Sequence, residues 1–129
     1  MTHIEVVAAV IVYKEKILCV QRGVHKYNYI SKKYEFPGGK IEIGESQEAA
    51  LIREIKEELD MEISTLAPLI TINHQYPDFQ ITMYTYLCSC KNNLLKLTEH
   101  IDFQWLNKEE LQKLDWAAAD IPIVDKLIN

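Results

Sequence analysis

The apolar runs of this chain are short and rich in β-branched residues, which is the pattern of buried strands. The first run extends from Ile4 to Tyr13, and a second, Ile17 to Gln21, follows after the polar turn Lys14-Glu15-Lys16. Two strand-like runs joined by so short a turn predict an antiparallel hairpin at the start of the chain.

Strand-like and helix-like segments continue toward the C-terminus. Three further runs have the strand pattern: Ile63 to Gln75, Ile81 to Cys90 and Ile101 to Leu106. The turn Tyr76-Pro77-Asp78-Phe79 separates the first two of these runs. Asn107 can cap a short helix over Lys108 to Leu114, and Asp120 can cap a last helix with Pro122 in its first turn. This order predicts an α/β (α+β) fold, with a mixed β-sheet sandwiched between helices.

The segment from Ser46 to Leu59 is the clearest helix. It contains no proline or glycine, it is rich in good helix formers, and Ser46 is placed to cap its first turn. Apolar residues at offsets of three and four predict one face directed to the core: Ala49, Ile52, Ile55 and Leu59.

Three carboxylates cluster on the roughly opposite side of this helix: Glu54, Glu57 and Glu58. Like charges at these offsets destabilise an isolated helix unless something neutralises them. Mg²⁺ or Mn²⁺ would do so, because such hard cations take oxygen ligands. Taken alone, however, the pattern is more typical of a solvated acidic helix face.

The residues before the helix favour the metal site. Gly39-Lys40-Ile41-Glu42-Ile43-Gly44-Glu45 is followed, after seven residues, by Arg53-Glu54-Ile55-Lys56-Glu57-Glu58. This spacing resembles the Nudix box: Gly, five residues, Glu, seven residues, Arg-Glu-aliphatic-x-Glu-Glu-x-Gly-aliphatic. Asp60 stands in place of the last glycine, and Met61 follows it. Because Asp tolerates a left-handed backbone better than most residues, we expect a small stability cost and little effect on chemistry.

The resemblance extends to the MutT-type branch of the family. Phe36-Pro37-Gly38-Gly39 precedes the box, Arg22 ends the second strand, and Glu99 lies six residues before Trp105. Ala119-Asp120-Ile121-Pro122 is similar to the Ala-Asn-x-Pro segment of MutT, with Asp in place of Asn. These landmarks cover nearly the whole chain and imply a Nudix fold.

The resemblance also implies a metal site for Mg²⁺, or Mn²⁺, with five ligands: the backbone carbonyl of Gly38 and the carboxylates of Glu54, Glu57, Glu58 and Glu99. Glu99 is equally well interpreted as an exposed charge. Arg53 would orient Glu57 or contact phosphate, and Glu45 would hold the loop against the helix or favour the helix dipole. Which glutamate acts as general base stays open.

Four residues would contact the substrate by the same resemblance: Arg22, Phe36, Gly39 and Asp120. Three of them also have structural interpretations, namely an edge charge for Arg22, a core aromatic for Phe36 and a helix cap for Asp120. An ionised Asp120 only accepts hydrogen bonds, whereas a protonated one also donates, so this residue does not decide the base.

The implied reaction is hydrolysis of a nucleoside triphosphate to the monophosphate and pyrophosphate, with attack on the β-phosphorus. 8-oxo-dGTP and CTP are the two leading substrates, since Ile4-Glu5-Val6-Val7-Ala8-Ala9 and Ala119-Asp120-Ile121-Pro122 also resemble CTP pyrophosphohydrolases. A nucleotide sugar, dinucleotide or RNA cap is less expected, because no insertion is present to hold a second moiety. A noncatalytic Nudix-like module that recognises a nucleotide is the alternative, but it would be expected to lose the carboxylates.

Composition restricts the partners. A chain of 129 residues suits a single domain, 1–129, and a net charge of −5 argues against binding a nucleic acid polymer nonspecifically. No apolar stretch reaches the roughly 18 residues of a membrane span, and no signal segment is visible, so we expect a cytoplasmic protein. No partner protein is implied. The three cysteines lack metal-ligand spacing and are expected to be buried or half-buried thiols: Cys19, Cys88 and Cys90.

Overall fold

The computed structural model describes all 129 residues. Its elements, in chain order, are β1 (Thr2–Tyr13), β2 (Lys16–Gln21), β3 (Tyr34–Glu35), β4 (Gly38–Lys40), α1 (Gln47–Leu59), β5 (Ile63–Gln75), β6 (Phe79–Cys90), β7 (Asp102–Leu106), two 3₁₀ helices (Lys108–Lys113 and Ala118–Asp120) and α2 (Ile121–Ile128). The hairpin, the central helix and the C-terminal helical segments are confirmed, whereas the short strands β3 and β4 were not predicted.

All seven strands belong to one mixed sheet in the order β3-β2-β1-β6-β5, with β4 also paired to β1 and β7 to β2. β1 and β6 run parallel, and the other pairs are antiparallel. The β1–β2 hairpin turns on Lys14 and Glu15, whose φ angles of 48° and 68° match the twist of the flanking strands. The mixed sheet of the sequence prediction is confirmed.

Helices cover both faces of this sheet. On one face α1 packs on β1 and β2 through a cluster that includes Val7, Ala9, Ile11, Leu18, Leu51, Ile55 and Leu59. On the other face lie residues of α2 and of the preceding segment, including Leu111, Trp116, Ile123 and Val124. Because successive residues of β1 face opposite helices, its centre is apolar without interruption. No helix is long and apolar enough to cross a bilayer. Cys19 and Cys88 are buried thiols and Cys90 is partly buried, as expected.

The buried face of α1 differs from the predicted one. Ser46 caps the helix by accepting a hydrogen bond from the Ala49 amide at 3.1 Å, as predicted. The buried residues are Ala50, Leu51, Ile55 and Leu59, whereas Ala49 is exposed and Ile52 is 44% exposed. The predicted face was therefore wrong in part: the side of Leu51 is turned to the sheet, and Ile52 lies on the flank.

The observed orientation of α1 also changes the surroundings of its carboxylates. Glu54 and Glu58 follow Leu51 by three and seven residues, so they share its stripe of the helix instead of lying opposite the core. Asp60 ends the helix in the left-handed conformation, with φ of 52° and its amide bonded to the Lys56 carbonyl. The expected backbone conformation of Asp60 is thus confirmed.

Candidate active site

Two glycines of β4 bring backbone close to both the sheet and the helix. Gly38 pairs with Ala8 of β1 and Gly39 with Val7. A Cβ atom on Gly38 would collide with the carbonyl oxygen of Val7, and one on Gly39 would collide with the carboxyl group of Glu54. Glycine is required at position 38, where backbone atoms of β1 fill the space, whereas a side chain at position 39 would displace the carboxyl group of Glu54.

The three helix carboxylates are not equivalent. The side chains of Glu54 and Glu58 are 15% and 14% exposed, whereas that of Glu57 is 60% exposed. Glu54 and Glu58 lie one turn apart on α1, which makes their side chains neighbours on the helix surface. Two of the predicted ligands therefore form a half-buried pair, and Glu57 is directed toward solvent.

Burial and neighbouring negative charge act together on Glu58. Burial, the adjacent carboxyl group of Glu54 and the charges of Glu54, Glu35 and Glu99 raise the pKa of Glu58 to about 9. Its Oε2 atom is buried and has no hydrogen-bond partner. No three His, Cys, Asp or Glu side chains are already arranged to hold a metal ion. The orphaned oxygen and the paired carboxylates nevertheless fit the oxygen-donor set of a hard divalent cation.

Arg53 joins the loop before α1 to the helix carboxylates. Its Nε and Nη2 atoms donate to the two carboxylate oxygens of Glu45 at 2.7 and 2.9 Å. Its Nη1 atom donates to Glu54 at 3.0 Å and to Glu57 at 3.3 Å, and Nη2 also donates to the Lys40 carbonyl at 3.1 Å. Arg53 is the centre of this network, and its hydrogen bonds to Glu45 are the first cause that lowers the pKa of Glu45 to about 2.

The segment before β7 reaches the other side of Glu58. The Thr98 hydroxyl donates to the Glu58 carbonyl at 2.9 Å, which ties this segment to the end of α1. Glu99 is exposed, and its charge contributes to the raised pKa of Glu58. His100 is buried between two carboxylates, with Nε2 at 3.0 Å from Glu35 and Nδ1 at 4.0 Å from Glu58.

A cleft of about 510 Å³ opens beside the glycine strand, which is within the usual range for small-molecule sites. Five predicted site residues line it: Arg22, Phe36, Gly38, Gly39 and Asp120. The helix carboxylates do not line the cleft, but Glu54 packs against Gly39, which does. His25, Lys26 and Tyr27 of the loop after β2 also line it. The Tyr29 hydroxyl of the same loop donates to Asp78 at 2.6 Å.

Asp120 lies deep in this cleft and does not act as a helix cap. Its carboxylate accepts a hydrogen bond from the Phe36 amide at 2.9 Å, and no side-chain cap bond to α2 forms. Burial and the charge of Glu35 raise the pKa of Asp120 well above its ordinary value, although the Phe36 amide and Arg22 oppose this. Phe36 is buried and stacks on Trp116, with ring centroids 4.6 Å apart. Asp120 thus occupies the predicted position at the start of α2, with Pro122 in the first turn, but its side chain does not make the predicted cap bond.

Glu35 and His100 were not singled out in the sequence. Glu35 lines the cleft and accepts a hydrogen bond from Arg22 Nε at 3.0 Å, so it belongs to the same site. β3 and β7 both pair with the end of β2, where Val20 faces Glu35 and Phe103. Their meeting depends on this long-range pairing, and only the adjacency of Glu35 to Phe36 and of His100 to Glu99 could have drawn attention to them.

Comparison with known proteins gives the family. A family model described as NUDIX domain matches residues 6–126. The chain is 34% identical to CTP pyrophosphohydrolase of Escherichia coli (strain K12) over 125 residues, covering 97% of this chain and 91% of the relative. It is 30% identical over 99 residues to 8-oxo-dGTP diphosphatase of the same strain, covering 77% of each.

The fold agrees with a solved relative of higher identity. The solution NMR structure of the DNA mismatch repair protein MutT (family Nudix hydrolase) from methicillin-resistant Staphylococcus aureus 252 matches with a TM-score of 0.76 and 41% identity. The match covers 99% of this chain and 98% of that chain. From the family match and these relatives, the chain belongs to the Nudix family and is a Nudix hydrolase of the MutT type.

Proposed function

We propose that this protein is a Mg²⁺-dependent nucleoside triphosphate pyrophosphohydrolase, which cleaves its substrate to the monophosphate and pyrophosphate. The observation that carries the proposal is the half-buried pair of Glu54 and Glu58 beside Gly39, a residue that lines a cleft large enough for a nucleotide. A pair of carboxylates brought this close is costly without a cation, and a polyphosphate substrate carries cations with it.

Glu54 and Glu58 are the inner members of the proposed metal-ligand set, because they are half-buried and lie next to each other. Glu57 and Glu99 are exposed, and they would complete the metal-ligand set on its solvent side, together with the backbone carbonyl of Gly38. When bound, Mg²⁺ or Mn²⁺ supplies positive charge that neutralises the phosphate oxygens. The general base is one of these four glutamates.

Arg53 and Glu45 are proposed to position the carboxylates without contacting the substrate. Arg53 already directs its donors at Glu45, Glu54 and Glu57, which leaves it little capacity for phosphate. Its guanidinium also offsets part of the negative charge that three neighbouring carboxylates create. The orienting role that the sequence left as one of two alternatives is the role that these contacts support.

The cleft is proposed to hold the nucleoside, with Arg22, Phe36, Gly39 and Asp120 as contacts. The raised pKa of Asp120 favours a neutral carboxyl group, which can donate one hydrogen bond and accept another. Such a group can pair with the edge of either cytosine or 8-oxoguanine. The names of the two relatives support both CTP and 8-oxo-dGTP as substrates.

The experiment is pyrophosphate release across a panel of 8-oxo-dGTP, dGTP, CTP, dCTP, a nucleotide sugar and a dinucleoside polyphosphate, with Mg²⁺ and with chelator. We expect Mg²⁺-dependent turnover with a preference in kcat/KM for either 8-oxo-dGTP or the cytosine nucleotides. A preference for the sugar or dinucleotide would overturn the substrate proposal. Nucleotide binding without turnover of any compound would indicate the noncatalytic module.

A further inference from the structure

His100 connects the substrate cleft to the carboxylate helix without lining the cleft itself. Its side chain is 6% exposed, and its Nε2 atom lies 3.0 Å from Oε2 of Glu35. The second oxygen of Glu35 accepts a hydrogen bond from Nε of Arg22 at 3.0 Å. Arg22 and Glu35 both line the cleft, so the three side chains form a chain that begins behind the cleft and ends inside it.

The opposite edge of the imidazole ring determines which nitrogen donates. Nδ1 lies 4.0 Å from Oε2 of Glu58, and both atoms are buried without a hydrogen-bond partner. Nε2 is therefore the only ring nitrogen within hydrogen-bond distance of a carboxylate. The carboxylate of Glu35 can only accept a hydrogen bond, so the contact at 3.0 Å assigns the ring proton to Nε2, which donates to Glu35.

Arg22 depends on Glu35 for its orientation. Its side chain is 45% exposed, and Glu35 is the one side chain to which it is hydrogen bonded. A long exposed side chain loses much conformational entropy when it is fixed, so its direction is set by the partner that holds it. Glu35 is only 18% exposed, and its position is in turn fixed by His100.

We infer that His100 is a positioning residue for nucleotide binding: by donating to Glu35 it fixes the carboxylate that holds Arg22, a residue that lines the cleft. The inference rests on the proposed function only in that it takes Arg22 as a nucleotide contact. Removing His100 would leave Glu35 free to turn, and Arg22 would lose its defined direction. Partners that orient a metal-ligating residue change its affinity or activity by about 10- to 100-fold, and by analogy we expect a loss at the lower end of that range when Arg22 loses its orientation.

Three substitutions separate this role from a packing role. In His100→Gln the amide nitrogen takes the place of Nε2 and can still donate to Glu35, whereas in His100→Asn it takes the place of Nδ1. His100→Ala removes both ring nitrogens.

Binding of CMP and of 8-oxo-dGMP is measured by calorimetry in chelator, so that no metal contributes. His3→Ala is the matched control, because His3 also makes one side-chain hydrogen bond, to Thr82 at 2.7 Å, but does not line the cleft.

We expect His100→Ala and His100→Asn to weaken binding of the favoured monophosphate by about tenfold, and His100→Gln to stay within about threefold of the original chain. In an Arg22→Ala background, His100→Ala should add less than about twofold, because its effect passes through Arg22. Unchanged affinity in His100→Ala, or the same tenfold loss in both backgrounds, would overturn the inference.

A ligand-free measurement keeps this result separate from the proposed function. The Nε–H resonance of Arg22 in a ¹⁵N-correlated NMR spectrum reports its hydrogen bond to Glu35. We expect the signal to be protected from solvent exchange in the original chain and in His100→Gln, and lost in His100→Ala while thermal unfolding shows a folded protein. A protected signal in folded His100→Ala contradicts the positioning role. Failure of the original chain to bind either monophosphate, with the signal present, contradicts the nucleotide proposal instead.

Discussion

Arg53 binds Glu45 through two parallel hydrogen bonds, from Nε to Oε2 at 2.7 Å and from Nη2 to Oε1 at 2.9 Å. This fork-shaped pairing is the strongest geometry available to an arginine and a carboxylate. It joins the loop after β4 to the second turn of α1, and the remaining donor of Arg53 is directed at Glu54 and Glu57. The pair therefore sets the direction of carboxylates that lie outside it.

Replacing Arg53 by Lys tests this positioning role. A lysine keeps the charge but cannot donate in parallel to Glu45 while also reaching Glu54. We expect kcat to fall by about 10- to 100-fold with a smaller change in KM. The measurement is steady-state kinetics on the favoured triphosphate. Glu42→Gln is the control, because Glu42 lies 3.6 Å from Arg53 and is 69% exposed, and it should change kcat little. Equal losses in both variants would contradict the role.

Glu58→Gln tests the proposed inner metal ligand with two readouts. In chelator the variant should melt at a higher temperature than the original chain at pH 8, because Glu58, whose pKa is raised to about 9 in the folded protein, must take up a proton on folding at this pH and a neutral amide need not. With Mg²⁺ its kcat should fall by at least about 100-fold.

Mg²⁺ should also raise the melting temperature of the original chain and not that of Glu58→Gln. Glu62→Gln, which changes an exposed glutamate beyond the helix, serves as the control. A Mg²⁺-induced rise of the same size in Glu58→Gln would show that Glu58 does not hold the ion.

The observed register of α1 predicts different costs for two neighbouring isoleucines. Ile55 is fully buried, so Ile55→Ala should lower the free energy of unfolding by about 2–5 kcal/mol. Ile52 is 44% exposed, so Ile52→Ala should cost less than about 1 kcal/mol. Urea denaturation of both variants measures the difference. Similar losses would place both side chains in the core, as the sequence pattern had predicted.

The raised pKa of Asp120 predicts that the stability of the protein depends on pH. This pKa is raised in the folded protein, so above the ordinary value of about 4 the folded state holds a proton that the unfolded state has released. This contribution to stability is complete at low pH and is lost as the pH rises toward the folded pKa.

Asp120→Asn keeps the acceptor for the Phe36 amide and cannot ionise. The melting temperature of Asp120→Asn relative to that of the original chain should therefore rise as the pH rises above 5, and this rise should stop once the pH passes the folded pKa of Asp120. Thermal unfolding in one buffer series gives the comparison. Parallel curves for the two proteins would mean that Asp120 is ionised throughout.

Local sequence patterns predicted most elements because their causes are local. Ser46 as a helix cap, the hairpin turn at Lys14 and Glu15, and the left-handed Asp60 follow from the properties of individual residues and their nearest neighbours. The buried face of α1 was only partly predicted. Leu51 and Ile52 are adjacent in the sequence, and either one can continue the apolar stripe of Ile55 and Leu59, so the pattern is compatible with two rotations of the helix about its axis. Contact with the sheet chooses between them.

The sequence predicted the part of the site that lies within one continuous motif. The motif identified Glu45, Arg53 and the three helix glutamates, but spacing alone could not show that Glu57 would face solvent. Glu35 and His100 come together only through the pairing of β3 and β7 with β2, so no local pattern contains that contact.

The most direct test of the proposed chemistry is ³¹P NMR of the products formed from CTP and 8-oxo-dGTP with Mg²⁺ in ¹⁸O-labelled water. Attack on the β-phosphorus predicts equal amounts of monophosphate and pyrophosphate, with the label in pyrophosphate. A label in the monophosphate would move the attack to the α-phosphorus. Nucleoside diphosphate and phosphate as products, or no products at all from either compound, would contradict the proposed activity.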